Sequence, residues 1–176
     1  LRRKRIDAYI IPKNDIFFSE EVLPHQERLN YITNFSGSSG FAVIISKKKE
    51  QSAIFSDGRY KLQIEKEVDK KEFKFFNGGL TKIINFVASK TSFLKVIACD
   101  PNLISIKDFE VLKKQLNNHN LNLRKINQNL VDQIWENKPP IPPNNIYNFK
   151  TKFSGKKSSQ KILEFVKQLK NYDAKA

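Results

Sequence analysis

Methionine is absent from the 176 residues, cysteine and tryptophan occur once each, histidine twice and glycine six times. The lone cysteine, Cys99, rules out an internal disulfide and fits a reducing compartment. It also leaves no cysteine pair for a zinc site, and no His-Glu-x-x-His segment takes its place. The two histidines, His25 and His119, each lie in a polar context without a ligand-spaced partner. No apolar run approaches the ~20 residues of a membrane span, and the first residues carry no secretory apolar core. The expectation is a cytoplasmic protein without membrane contact. With no methionine and a basic opening, Leu1-Arg2-Arg3-Lys4-Arg5, the chain is expected to be cut from something longer.

What is abundant is positive charge, +14 in all. A nucleic-acid partner is the first thought for such a balance. The excess, however, is loaded on the ends: residues 1–5 carry +4, residues 150–176 carry +6, and the 144 residues between only +4. That distribution, with a general richness in Lys, Asn and Ile, argues for no nucleic-acid partner. A hydrophobic content of 39% and this length suit one domain with a core, plus a little more.

Residues 6–12 read as an apolar strand stopped by Pro12, preceded by the basic tail of a helix. Asn14 to Leu23 is a loop whose Phe17 and Phe18 are expected to plug the core. Pro24 opens a helix, on which His25 is expected to be solvated. Arg28 is placed to pair with acids across the loop at the surface, where such a pair contributes little. Tyr31, Ile32 and Phe35 can share a helical face, with Gly37 and Gly40 as stop signals. Phe41 to Ile45 and Ser52 to Phe55 then form an antiparallel pair around the charged turn Lys47 to Gln51. Asp57 caps a following helix carrying Tyr60, Leu62, Ile64 and Val68. Phe73 to Phe76 is a strand, and Leu80, Ile83, Ile84 and Val87 recur at helical spacing. Leu94 to Ala98 is a strand turned by Asp100-Pro101. Ser105 caps a helix with the stripe Ile106, Phe109, Leu112 and Leu116. His119 sits in a polar turn, Leu121 to Ile126 alternates as an edge strand does, and residues 129–135 form a last short helix packing Leu130, Val131, Ile134 and Trp135 inward. Strand and helix alternate after residue 50, so the fold class is α/β. Pro139-Pro140-Ile141-Pro142-Pro143 marks a linker. Beyond it Ile162, Leu163, Phe165, Val166 and Leu169 make an amphipathic helix with no later layer to cover it.

Several of these segments, taken together, resemble a known family. Phe35-Ser36-Gly37-Ser38-Ser39-Gly40 followed by Asp57-Gly58-Arg59-Tyr60-Lys61-Leu62-Gln63 is similar to the N-terminal domain of the Xaa-Pro aminopeptidases, within the creatinase/prolidase group of metal-dependent peptidases. Ala8-Tyr9-Ile10-Ile11-Pro12, Ser19-Glu20, Arg28 and Asn129-Leu130-Val131-Asp132-Gln133-Ile134-Trp135 follow the same pattern in order. The resemblance covers about residues 6 to 170. It implies a mixed β-sheet with helices on both faces, a three-layer domain. It also implies the three-domain type: a creatinase-like N-terminal domain over 1–138, a proline-rich linker over 139–149, and over 150–176 the first helix of a truncated second domain, the catalytic domain being absent.

The chemistry is weighed against that background. Cleavage by two metal ions needs Asp, Glu and His ligands converging on ions ~3.5–4 Å apart, and no such set can be read from these residues; no catalytic and no metal-binding residue is assigned. The resemblance implies two divalent ions, manganese, in a catalytic domain outside this chain, where a metal-activated water would attack the amide carbonyl. Cys99 ends an apolar strand and is read as a buried small hydrophobe. Residues 35–40 are no phosphate loop, because a helix precedes them and a strand follows, the reverse of a phosphate cradle. From residues alone, Asp57-Gly58-Arg59-Tyr60 is either a capped turn with an exposed arginine or a place where a guanidinium fork holds a carbonyl or carboxylate. The resemblance implies the second: Arg59 is the substrate-binding residue. Tyr60 either packs under the site or contributes to it.

The expected function is therefore the non-catalytic N-terminal domain of an aminopeptidase whose substrate is a peptide with proline at the second position. The domain would border the cleft and support assembly, the intact enzyme being a homodimer. The fragment alone is expected to be inactive. The alternative is a stand-alone interaction module or pseudoenzyme derived from such a domain.

Overall fold

The computed structural model describes residues 1–47 and 49–172. Lys48, in the charged turn, and residues 173–176, at the end of the expected second-domain helix, lie outside the described residues. The chain divides into two units, Leu1–Pro140 and the stretch from Ile141 onward.

The first unit is built on one sheet of six strands among the described residues, in the order β4-β3-β2-β1-β5-β6. The strands are β1 (Ala8–Pro12), β2 (Phe41–Ile45), β3 (Ser52–Ser56), β4 (Phe73–Asn77), β5 (Val96–Cys99) and β6 (Asn122–Lys125). β2 runs antiparallel to both its neighbours, β1 and β3. The β1–β5, β3–β4 and β5–β6 pairs are parallel. The sheet is thus mixed, with β2 alone reversed. β6 is an edge, as its alternating pattern requires.

Side chains alternate across the pleat and feed two cores. On one face Ala8, Ile10, Val43, Ala53, Phe55 and Ile97 meet Ile83 and Val87 of α3 (Leu80–Ala88) and Phe109, Leu112 and Leu116 of α4 (Ile106–Asn118). On the other, Tyr9, Ile11, Ala42, Ile54 and Ala98 meet Leu29 of α1 (Arg28–Thr33), Phe35, Ile64 of α2 (Lys61–Glu67) and Val131. Helices therefore cover both faces, in three layers. Ser105 caps α4, its hydroxyl accepting from the Asp108 N–H at 3.1 Å. Ile106 stands in the first turn of α4 pointing outward and Leu62 does the same on α2, so both leave the stripes assigned to them and are exposed.

Four local expectations are corrected. The basic opening is a short 3-10 turn, Arg2–Lys4, in place of a helix tail. α1 ends at Asn34, left-handed at φ 61°, so Phe35 leaves the helix and drops into the core beyond it. Phe17 and Phe18 do not plug the core: Phe17 is 76% exposed. The anchor of that loop is the buried Asp15, whose carboxylate accepts the Phe17 and Ser19 N–H groups at 2.9 and 3.0 Å and turns the aromatics outward. Residues 129–135 are a turn in place of a helix, anchored by the Asn129 side chain, which accepts the Val131 N–H at 2.9 Å and donates to Asp100 at 2.8 Å. Leu130 and Val131 pack inward, Ile134 is exposed, and Trp135 stacks on Tyr31 at 4.7 Å.

His25 and Arg28 are buried as well, contrary to the surface roles expected of them. Arg28 reaches 104 residues along the chain to form a two-pronged pair with Asp132, Nε to Oδ1 and Nη2 to Oδ2 both at 2.8 Å. Its Nη1 donates to Gln26 at 3.3 Å, which draws the Pro24–Gln26 turn, His25 included, inward. Lys138 adds a second cation on Asp132 at 3.0 Å.

In the second unit, α5 (Thr151–Ser154) ends at Gly155, at φ 79°, and α6 (Ser158–Asn171) follows. Ile162, Leu163, Phe165 and Val166 of α6 are exposed.

The Arg28–Asp132 pair gives a stability prediction. The arginine is nearly dry while the aspartate keeps some water, so Arg28→Ala should cost about 2–3 kcal/mol in urea unfolding. Burial alone would raise the Asp132 pKa, but the hydrogen bonds and charges of Arg28 and Lys138 outweigh it and hold the carboxyl below its ordinary value. This stabilisation is present above the ordinary carboxylate pKa, near 3.8, and disappears as pH falls through the depressed value. Arg28→Ala should accordingly flatten the acid limb of the stability profile; an unchanged midpoint and acid limb would remove the pair from the account.

Candidate functional site

The sheet registers place one set of loops at one end of the molecule. Pro12 at the end of β1 pairs with Phe41 at the start of β2, Phe41 with Phe55 near the end of β3, and Ser56 with Asn77 at the end of β4. Because β2 is reversed, the loop before it joins the loops after β1, β3 and β4. This is the carboxyl end of the parallel strands, where ligands of open α/β sheets gather.

Close backbone approach holds these loops. Lys13 N donates to the Gly40 carbonyl at 2.9 Å, and the buried Ser56 hydroxyl donates to the Ser39 carbonyl at 2.6 Å. A Cβ on Gly40 would lie 2.8 Å from the Phe55 carbonyl oxygen. A Cβ on Gly37 would lie 2.1 Å from the Phe35 ring and 2.8 Å from the Tyr60 ring. These glycines are thus required by close packing against Phe35, Phe55 and Tyr60. The Phe35 and Tyr60 rings meet edge to face at 5.5 Å and 87°. Tyr60 therefore packs under the site, and it also reaches across it: its hydroxyl and that of Ser38 are 2.7 Å apart. Ser36 is tied to α2 through Glu67, whose carboxylate accepts from Ser36 N at 2.8 Å, and through Gln63 at 2.9 Å.

Arg59 stands at the rim, with its side chain 83% exposed. Asp57 caps the short 3-10 turn Gly58–Tyr60 that leads into α2, its Oδ1 accepting the Arg59 N–H at 3.0 Å. The same carboxylate grips the guanidinium, Oδ1 to Nε and Oδ2 to Nη2, each at 2.9 Å. The Arg59 hydrogen bonds and charge hold the Asp57 carboxyl below the usual range, and Asp57 in turn raises the arginine. The guanidinium carbon lies 5.9 Å from the centre of the Tyr60 ring. Lys13, Glu20, Glu21, Val22, Glu27, Ser36 and Ser38 line a cleft of about 270 Å³. Lys13 is half-buried and paired with Glu27. The sequence pattern singled out Arg59, Asp57 and Tyr60 but did not point to Ser38 or to the Lys13–Glu27 pair, which join the site only through folding.

No metal-binding set accompanies this arrangement: among the described residues, no three His, Cys, Asp or Glu side chains gather within reach of one ion. The donors present do not fit a two-metal centre. His25 is buried and His119 is exposed just past the end of α4. Cys99 is buried at the end of β5, and burial pushes its thiol up to about 12, so it is no thiolate nucleophile at neutral pH.

Comparison with known proteins gives the following. The profile of the Creatinase/Prolidase N-terminal domain matches residues 1–133. Xaa-Pro aminopeptidase 2 of Rattus norvegicus is 30% identical over 173 residues, covering 98% of this chain and 25% of that protein. A probable Xaa-Pro aminopeptidase P of Laccaria bicolor is 31% identical over 180 residues, covering 100% of this chain and 27% of that protein. The chain therefore spans about a quarter of the length of the curated relatives it matches. Among solved structures, X-prolyl aminopeptidase from Caenorhabditis elegans, described as a cytosolic enzyme with a di-nuclear active site, superposes with a TM-score of 0.79 at 23% identity, over 96% of this chain and 27% of that one. That likeness extends the three-layer fold to this chain.

Gly37 gives the prediction for the site. Gly37→Ala forces a methyl into the Phe35 and Tyr60 rings, so the Phe35–Tyr60 packing should open at a cost of about 1–3 kcal/mol. Tyr60 fluorescence and the thermal midpoint should both change. A variant with wild-type stability and spectrum would show that these rings do not constrain the loop.

Proposed function

The chain belongs to the creatinase/prolidase N-terminal-domain family, and from that membership we propose that the intact protein is an Xaa-Pro aminopeptidase. It releases the N-terminal residue from peptides with proline at the second position. Residues 1–138 are its non-catalytic N-terminal domain, residues 139–149 the linker, and residues 150–176 the opening of a second domain whose remaining layer covers the apolar stripe of α6. The observation that carries this reading is the Asp57–Arg59 fork, presented to solvent at the carboxyl end of the sheet in a chain whose curated relatives bear that enzyme name.

In this reading the domain borders the substrate cleft and supports assembly of a homodimer in the cytoplasm. The two metal ions, manganese, belong to the catalytic domain. What this chain contributes is position. A guanidinium already fixed by Asp57 on one side offers its remaining donors to the peptide in a fixed direction. Tyr60 supports the arginine from below.

Two measurements test this. In the intact protein, Arg59→Ala should lower kcat/KM on an Xaa-Pro peptide on the order of 10- to 100-fold, as loss of a substrate-positioning contact does, with an unchanged thermal midpoint. Wild-type kinetics would remove Arg59 from the site. Residues 1–176 expressed alone should hydrolyse no Xaa-Pro peptide and take up no Mn²⁺ in a titration calorimeter. Hydrolysis by the purified fragment that chelator does not abolish, or tight Mn²⁺ binding, would overturn the division of labour.

A further inference from the structure

The Asp57–Arg59 geometry bears on which atom of the peptide Arg59 holds. A guanidinium has five N–H donors and no acceptor. Asp57 occupies the Nε–Nη2 side, at 2.9 Å on each prong. Three donors remain, two on Nη1 and one on Nη2, and they form the end-on edge of the fork, facing away from Asp57. The pair as a whole carries no net charge, so that edge is a set of polarised donors without a free cation behind it.

A carboxylate arriving at the end-on edge meets an arginine whose charge Asp57 already neutralises. A backbone carbonyl accepts the same N–H groups without calling on that charge.

We infer that Arg59 takes a neutral backbone carbonyl of the bound peptide, not its terminal carboxylate, and that Asp57 is the positioning residue that sets this choice. The inference rests on the reading that Arg59 contacts substrate. Asp57 has two separable effects. It aims the end-on edge, and it cancels the charge that would otherwise draw an anion.

The test uses the intact protein and two tripeptides of one Xaa-Pro-Xaa sequence, one ending in a free carboxylate and the other in an amide. Asp57→Asn keeps a side chain that caps helices well but removes the compensating charge; Asp57→Ser caps and has no fork. In both variants the ratio of kcat/KM, free acid over amide, should rise about two- to fivefold through KM, the scale of an exposed charge pair. Added salt should shrink the rise. A merely structural Asp57 would lower both substrates together, and an unchanged ratio in both variants, at wild-type thermal midpoint, overturns the inference. Arg59→Ala, run alongside, separates the two levels. If it lowers both rates alike, the carbonyl assignment stands; if it lowers the free acid far more than the amide, Arg59 holds the carboxylate and the carbonyl assignment falls while the substrate contact stands. If it changes neither, the contact itself falls, and the carbonyl assignment with it.

Discussion

β1 has no free edge and no wet face. All five residues of Ala8–Pro12 are buried, β2 and β5 hydrogen-bond to its two sides, and its side chains divide between the two cores, Ala8 and Ile10 to one, Tyr9 and Ile11 to the other. Antiparallel pairing with β2 on one side gives way there to parallel pairing with β5 on the other. A strand in that position must be apolar on both faces and cannot carry a polar residue without a partner. Its proline is tolerated because it is the last residue of the strand, where the chain leaves for the loop held by Asp15.

From that strand the placement of the rim follows. β1 and β3 point the same way and β2 runs back between them, so the chain must turn at both ends of β2. The turn before β2 is the Ser-Gly-rich loop and the turn after β3 is the Asp57 cap, and the two lie side by side. They approach so closely that side chains are excluded at Gly37 and Gly40. What remains at the surface are hydroxyls, a tyrosine edge and the arginine fork. The small residues and the fork are consequences of one packing problem, in which two turns must share the end of one sheet.

How much of this was readable beforehand depended on sequence range. The β2–β3 hairpin, the α3 spacing, the Ser105 and Asp57 caps and the edge character of β6 are local: each follows from a few consecutive residues, and each is where it was expected. The resemblance added Arg59 and the layered sheet. Misplaced features were those decided by distant partners. Arg28 seemed a surface residue because its neighbours are polar, but its partner is Asp132, 104 residues away. His25 was carried inward by the same network. Phe17 and Phe18 look like core residues by type, yet the buried Asp15 fixes the loop the other way. Residues 129–135 have a helical apolar pattern, but Asn129 spends its side chain on Val131 and Asp100. In each case a polar side chain, with its directional bonds, overrode a pattern written in hydrophobicity.

The same contrast bears on how Arg59 sits on so exposed a perch. A buried arginine such as Arg28 needs every donor matched, and its loss is felt by the whole domain. Arg59 is bathed in water and contributes little to folding, so its position is free to answer to something else. Left alone, a long side chain at the surface samples many rotamers, and a ligand must order it on binding. Asp57 restrains it in advance, two residues away, using a carboxylate already needed for the cap. The rigid three-layer body supplies a fixed origin, the capped turn supplies a direction, and the ion pair supplies the aim. An exposed side chain on a three-layer domain can in this way be held in one direction without being buried.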